Sequence, residues 1–333
     1  MKILATSILL GTLFAVQAAS ADDQEDRDKA KGKMHSHIQG QLFFTDVFSP
    51  TYSDGLIERM NSDGKGLKSL VPIGDGARGI AVDSVNGKIF WSDVDRHVIS
   101  KANLDGKNQK DIVTTGLDFP LDVDIDIKSK KIYWSDQSQN QIGRANLDGT
   151  DQTFIIPFPC PSSVGYFCTA GGELAIDSVK KKLYWTTAYC SDHTCSSYLG
   201  DIFRANLDGS NIEIVVTAAG RPSSIQVDPI GKKIYWTDYV NDVVRRSNLD
   251  GTQIDDLFVV GKNNNPNSLA LDLKNGYIYW DQDGDVPDRS CIKRMHLNGK
   301  HPEDVKCNFG NVPDIEFVSP PNVHKDKHDH EDD

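Results

Sequence analysis

Beyond its first 21 residues the sequence has no apolar run long enough to cross a bilayer, for which a helix needs about 20 residues. It has no G-x-S-x-G, no H-E-x-x-H and no phosphate-binding glycine loop, so the hydrolase, zinc-protease and nucleotide chemistries those motifs carry are without support. There is no N-x-S/T sequon, which removes N-glycosylation. No segment shows helical periodicity, and this points to an all-β chain. Cations are in deficit: 36 Lys and Arg stand against 48 Asp and Glu, a net charge of −12. Nucleic acid and anionic membranes are poor partners for such a chain, because their phosphates need lysine and arginine in excess.

The sequence opens with Lys2, an apolar run "ILATSILLGTLFAV" and Ala19-Ser20-Ala21. A charged start, a short apolar core and an A-x-A end predict a secretory signal peptide over 1–21. Secretion, an extracellular location and a monomer without a transmembrane segment are the corresponding expectations. Residues 22–37 and 319–333 are charged and poor in apolar residues, which predicts disorder. His35 and His37, together with His324, His328 and His330, are candidate imidazole ligands for Zn²⁺ or Cu²⁺. An even count of six cysteines in a secreted chain predicts disulfides.

Between the tails one block recurs: "QLFFTD" (41–46), "KIFWSD" (88–93), "KIYWSD" (131–136), "KLYWTT" (182–187), "KIYWTD" (233–238) and "YIYWDQ" (277–282). Its aligned aromatics, Phe44, Trp91, Trp134, Trp185, Trp236 and Trp280, are spaced by 47, 43, 51, 51 and 44 residues. Strand-built repeats of this period predict a propeller. An alternating strand precedes each block from the second onward, and "NLDG" or a relative follows. Asp-Gly and Asn-Gly favour tight hairpins because these residues tolerate positive φ. The first block has no strand before it; "PDIEFV" (313–318) supplies one from the other end of the chain. The predicted fold, over 38–318, is a six-bladed β-propeller closed by the C-terminal strand pairing into the first blade.

These blocks resemble the YWTD repeats of the low-density lipoprotein receptor class B type. The resemblance implies an extracellular binding module. It also implies that the block Asp (Asp46, Asp93, Asp136, Asp238) and a basic residue on the next strand (Arg59, Lys101, Arg144, Arg204, Arg246, Arg294) tie the sheets together. Thr187 and Gln282 stand where two further Asp would be expected.

Function is expected where the repeats differ. The turns at one end of the blades, the bottom, are short and Lys-rich. The loops at the other end, the top, carry the aromatics: Phe48, Tyr52, Phe119, Tyr166, Phe167, Tyr189, Tyr198 and Tyr239. Exposed aromatics on a polar rim mark an interaction surface, so these residues are the candidate site for an extracellular protein or glycan-bearing partner. Two top insertions hold Cys160, Cys168, Cys190 and Cys195, whose pairing stays open, whereas Cys291 and Cys307 should face each other across a hairpin. The inner strands point Asp122, Asp124, Glu173, Asp314 and Glu316 into the channel. Carboxylates around one axis repel unless something intervenes, and oxygen ligands suit Ca²⁺. No cofactor is required by this reading; channel Ca²⁺ is the one candidate. The alternative function is a propeller enzyme, a metal-assisted hydrolase or lactonase or a small-molecule cyclisation catalyst, using the acidic channel mouth.

Overall fold

Each repeat alternates apolar and polar residues through four short segments, and each folds as a four-stranded antiparallel sheet. A computed structural model describes residues 40–47, 55–157, 168–190, 198–262, 264–283 and 289–320. Among these, the strands form six sheets in the order inner, second, third, outer. The inner strands are Ile315–Val318, Ala77–Asp83, Pro120–Asp126, Cys168–Asp177, Pro222–Asp228 and Pro266–Asp272, for blades one to six. They neighbour one another in sequence around a central channel. The YWTD-like blocks are the second strands. No helix of the described residues is long and apolar enough to cross a membrane.

The ring closes as the sequence implies. Ile315–Val318 lies antiparallel to the first block, pairing Gln41 with Val318 and Phe44 with Ile315. Blade four departs from the plain pattern. Its second strand runs on to Cys190 and gains a short partner, Tyr198–Leu199. Tyr189 and Tyr198, expected in loops, therefore lie on paired strands, because the insertion continues the ladder beyond the blade.

The core is six interblade layers, not one centre. Ala81, Phe90, Ile99 and Val113 of blade two pack on Val123, Ile132, Trp134 and Ala145 of blade three. Equivalent clusters fill the other junctions. All five tryptophans are buried, at 2% exposure or less, as large aromatics in a dry layer should be.

The repeated polar residues stitch blade to blade. Lys101 Nζ donates to Leu147 O, Arg144 to Leu207 O, Arg204 to Leu249 O, Arg246 to Leu297 O and Arg294 to Ser62 O, at 2.7–3.2 Å. Each acceptor belongs to the "LDG" turn, or its counterpart, of the next blade. That turn's glycine sits against the previous blade: a Cβ on Gly149 would lie 1.8 Å from Ile112 O, and one on Gly251 1.8 Å from Val215 O. Both glycines also have positive φ, at 88° and 79°. The motif is thus an interblade lock as well as a hairpin turn.

The block aspartates work at the other end. Asp136 accepts from Asp118 N and Phe119 N, Asp238 from Arg221 N, and Asp46 from Gly310 N. So the aspartate and the basic residue that the family pattern couples are two separate ties, one at each end of the blade. At Thr187 the hydroxyl exchanges bonds with the Asp201 backbone, and the Asp201 carboxylate accepts from Ala218 N. Gln282 accepts only a long bond from Trp280 Nε1, at 3.4 Å. Cys291 and Cys307 are bonded across the hairpin.

Candidate functional site: the channel and its top mouth

Inner strands begin at the top, and their first residues therefore ring the mouth. A cavity of about 410 Å³ opens there. Arg78, Arg221, Phe119, Tyr239, Asn267 and Asn311 are among its walls, and Glu173 lies at its base. The Arg221 guanidinium sits over the Tyr239 ring, 4.7 Å from its centroid, within the range of a cation–π contact. Arg78 Nη1 is held by Asp75 O and Ala77 O at 2.7 and 2.8 Å. Asn267 Nδ2 donates to Asn311 Oδ1 at 3.2 Å. The rim therefore offers two cationic forks, two amides and two aromatic faces in one concavity.

Of the aromatics singled out in the sequence, Phe119 and Tyr239 reach this mouth. Tyr189 is half-buried beside it, next to the wall residue Ala188. Phe48, Tyr52, Tyr166 and Phe167 lie outside the described residues, as do Cys160, Cys195 and the side chains of Cys168, Cys190 and Tyr198. The arginines and asparagines of the rim were missed by a search for aromatics. Their signal was positional: Arg78, Arg221 and Asn267 stand within two residues of the start of an inner strand.

Below the mouth the channel narrows to about 140 Å³. Asp122, Asp124, Glu173, Asp314 and Glu316 all line it, as their alternation on the inner strands requires. Glu173 borders both cavities. Three of the aspartates are held by backbone amides of their own strand and of the next blade. Asp122 accepts from Val123 N and Leu174 N at 2.7 and 2.6 Å, and Asp124 from Ile125 N and Ile176 N at 2.6 and 2.8 Å. Asp314 accepts from Ile315 N and Ile80 N at 2.8 and 2.7 Å. A Cβ on Gly79 would lie 2.3 Å from Asp122 Oδ1, so blade two makes room for that carboxylate by having no side chain.

Burial dominates the electrostatics. It pushes Asp124 and Asp314 up to about 7, against the opposing pull of their amide partners. Glu173 and Glu316 are driven well above the usual range by burial and then by the neighbouring aspartates. Asp122 is raised likewise by burial and by Asp314. Oxygens of Asp122, Glu173 and Asp314 lie within 4.8 Å of one another. Such a set can share protons or surround a hard cation.

Comparison with known proteins agrees with this architecture. The model of the low-density lipoprotein receptor repeat class B matches residues 87–127 and 232–273. Two of the six repeats thus match that family, and the whole propeller is similar to it. Protein cueball of Drosophila erecta is 32% identical over 111 residues, which is 32% of this chain and 16% of that protein. The low-density lipoprotein receptor-related protein 5 of Mus musculus is 36% identical over 74 residues, 22% of this chain and 4% of that protein. The matches thus span a small part of those much longer relatives. Among solved structures, a chain of a nidogen/laminin complex superposes with a TM-score of 0.65 at 18% identity, over 84% of this chain and 98% of that one. TolB from Acinetobacter baumannii gives 0.63 at 14% identity, over 84% of this chain and 67% of that one. At these identities the structural likeness concerns the fold alone.

Proposed function

We propose that this YWTD-type propeller is an extracellular binding module that takes a loop of a partner protein into the top mouth of its channel. The observation that carries this reading is the 410 Å³ concavity in which the Arg221–Tyr239 stack and Arg78 stand with Phe119. Aromatic and arginine side chains are the commonest binding anchors, and arginine forks match carboxylates geometrically. A partner loop bearing a carboxylate or amide beside an apolar side chain fits these walls. The nidogen/laminin structure supports the reading, since a chain of that protein–protein complex shares this fold.

The test is capture from the extracellular material of the producing organism, with Phe119→Ala, Tyr239→Ala and Arg221→Ala variants. Loss of a hot-spot residue typically costs about 2 kcal/mol or more. Capture should therefore fall roughly 30-fold with Tyr239→Ala. Undiminished capture by all three variants rules out the mouth.

The convergence of Asp122, Glu173 and Asp314 favours one addition, a Ca²⁺ held at the throat. The five channel carboxylates would be its ligands or their immediate neighbours. Melting at pH 8 with Ca²⁺ should then exceed melting with EDTA, by linkage. Coincident melts dispose of the ion.

A further inference from the structure

Four blades share a pairing that blade two lacks. Tyr133 stands beside Arg144, Tyr184 beside Arg204, Tyr235 beside Arg246 and Tyr279 beside Arg294. At these positions a phenol meets the guanidinium that clasps the next blade. In blade two the corresponding residues are Phe90 and Lys101. Lys101 keeps the clasp, donating to Leu147 O at 2.8 Å. The pair is smaller by a hydroxyl and by most of a guanidinium.

At the bottom of the junction between blades two and three, far along the blades from the mouth, this smaller pair borders a groove of about 530 Å³. Its volume lies within the range of small-molecule sites. Leu147, with an edge of the otherwise buried Phe90, gives it an apolar floor, and Lys88, Lys101 and Lys130 give it three ammonium groups. Asn86 and Asn146 add amides. The two carboxylates in its wall are already engaged. Asp83 accepts from Val85 N, Asn86 N and Asn86 Nδ2, and Asp148 accepts from Thr150 N and Thr150 Oγ1. Lys88 Nζ is held by the neutral Asn103 amide oxygen, and the Lys130 ammonium has no acidic partner among the described residues. Each ammonium has three donors, so most of these N–H groups are available to a ligand. Burial, with the like charges of Lys110 and Lys88 and against the attraction of Asp148, pushes Lys101 below the ordinary lysine range. The local field is one that an added anion would relieve.

We infer that this groove binds a small organic anion with an aromatic or apolar body, of the aryl carboxylate or aryl sulfonate class. The ring lies on Leu147 against the edge of Phe90, and the anionic group is held among Lys88, Lys101 and Lys130. This site is independent of the mouth and of whatever protein the mouth takes.

The test is titration of the full chain with 2-naphthalenesulfonate, by calorimetry, with neutral 2-naphthol as the control for apolar contact. The decisive variant is Phe90→Tyr with Lys101→Arg, which installs the pair already present in blades three to six and so places a hydroxyl and a guanidinium at the groove wall without breaking the clasp. Lys130→Gln, at an exposed position, is a second variant that leaves the core untouched. The sulfonate should bind saturably at one site and roughly tenfold more tightly than naphthol. Binding should be lost in the double variant and weakened severalfold in Lys130→Gln, with the melting temperature of both maintained. Absence of saturable binding, equal binding of naphthol, or unchanged binding by the double variant overturns the proposal.

Discussion

A chain ending at Asn311 is expected to lose its cooperative thermal transition, whereas one ending at Pro320 should melt like the full chain. The difference lies in the inner strand of blade one, Ile315–Val318. Without it the Gln41–Asp46 strand becomes an unpaired edge, and the interblade cluster of Leu42, Phe44, Met60, Tyr279 and Phe309 loses Ile315 and Phe317. The bond from Ile80 N to Asp314, which joins blades one and two, also goes. An open ring exposes two apolar blade faces at once. The loss of burial is comparable to the roughly 5–15 kcal/mol that separates folded from unfolded domains. A graded control is Ile315→Ala, which is expected to cost about 2–4 kcal/mol as a fully buried large-to-small change and to lower the urea midpoint with little change in slope. Differential scanning calorimetry of the two truncations decides. A sharp, undiminished transition in the Asn311-terminated chain would mean that closure contributes little.

The second large effect is on pH. Asp124 and Asp314 stand near 7 in the folded protein, against 3.8 for the same groups unburied. Between these values the unfolded chain releases protons that the folded chain keeps. A raised carboxyl therefore contributes stability that is complete below about pH 4 and is lost as pH rises through 7. Glu173, Glu316 and Asp122, also raised by burial, act in the same sense. For a group moved this far the upper limit is about 4 kcal/mol. Interaction among the five makes the sum smaller than five such contributions. We expect the melting temperature to fall by roughly 5 °C or more between pH 5 and pH 8 in the presence of EDTA. Glu316→Gln removes one ionisable member that makes no recorded backbone bond, and should raise the melting temperature at pH 8 while leaving pH 5 nearly unchanged. Exposed acids with lowered values, such as Asp63, act in the opposite sense and only in more acidic solution. A melting temperature that climbs from pH 5 to pH 8, or a Glu316→Gln variant that follows the parent profile, contradicts this account of the channel.

The clasps show what a linear reading sees and what it misses. "NLDG" is recognisable as a hairpin turn from its own residues, because positive φ at Gly149 or Gly251 is a local requirement. That Leu147 O receives Lys101 from the blade before it is a relation between residues 46 positions apart. Spacing along the chain carries no trace of it. The disulfide between Cys291 and Cys307 was legible for the opposite reason: the two flank one hairpin symmetrically about Gly299, so local pairing alone brings them together. At the mouth, Phe119 and Tyr239 could be picked out as aromatics outside the blocks. Arg78 and Arg221 could not be picked out by residue type, because in a charge-rich chain only their position beside the start of an inner strand sets them apart.

By itself the sequence determined the number of blades, the order of strands within each, and the strand that mends the ring. These follow from alternation and period, which are properties of short stretches repeated. It also determined that a set of carboxylates faces the axis, since side chains on a strand alternate. Only the tertiary structure decided which of those carboxylates meet, what the basic residues hold, and where a groove opens between two blades. Those facts depend on how one blade is rotated against the next, and that angle is set by interblade packing of side chains distant in the chain.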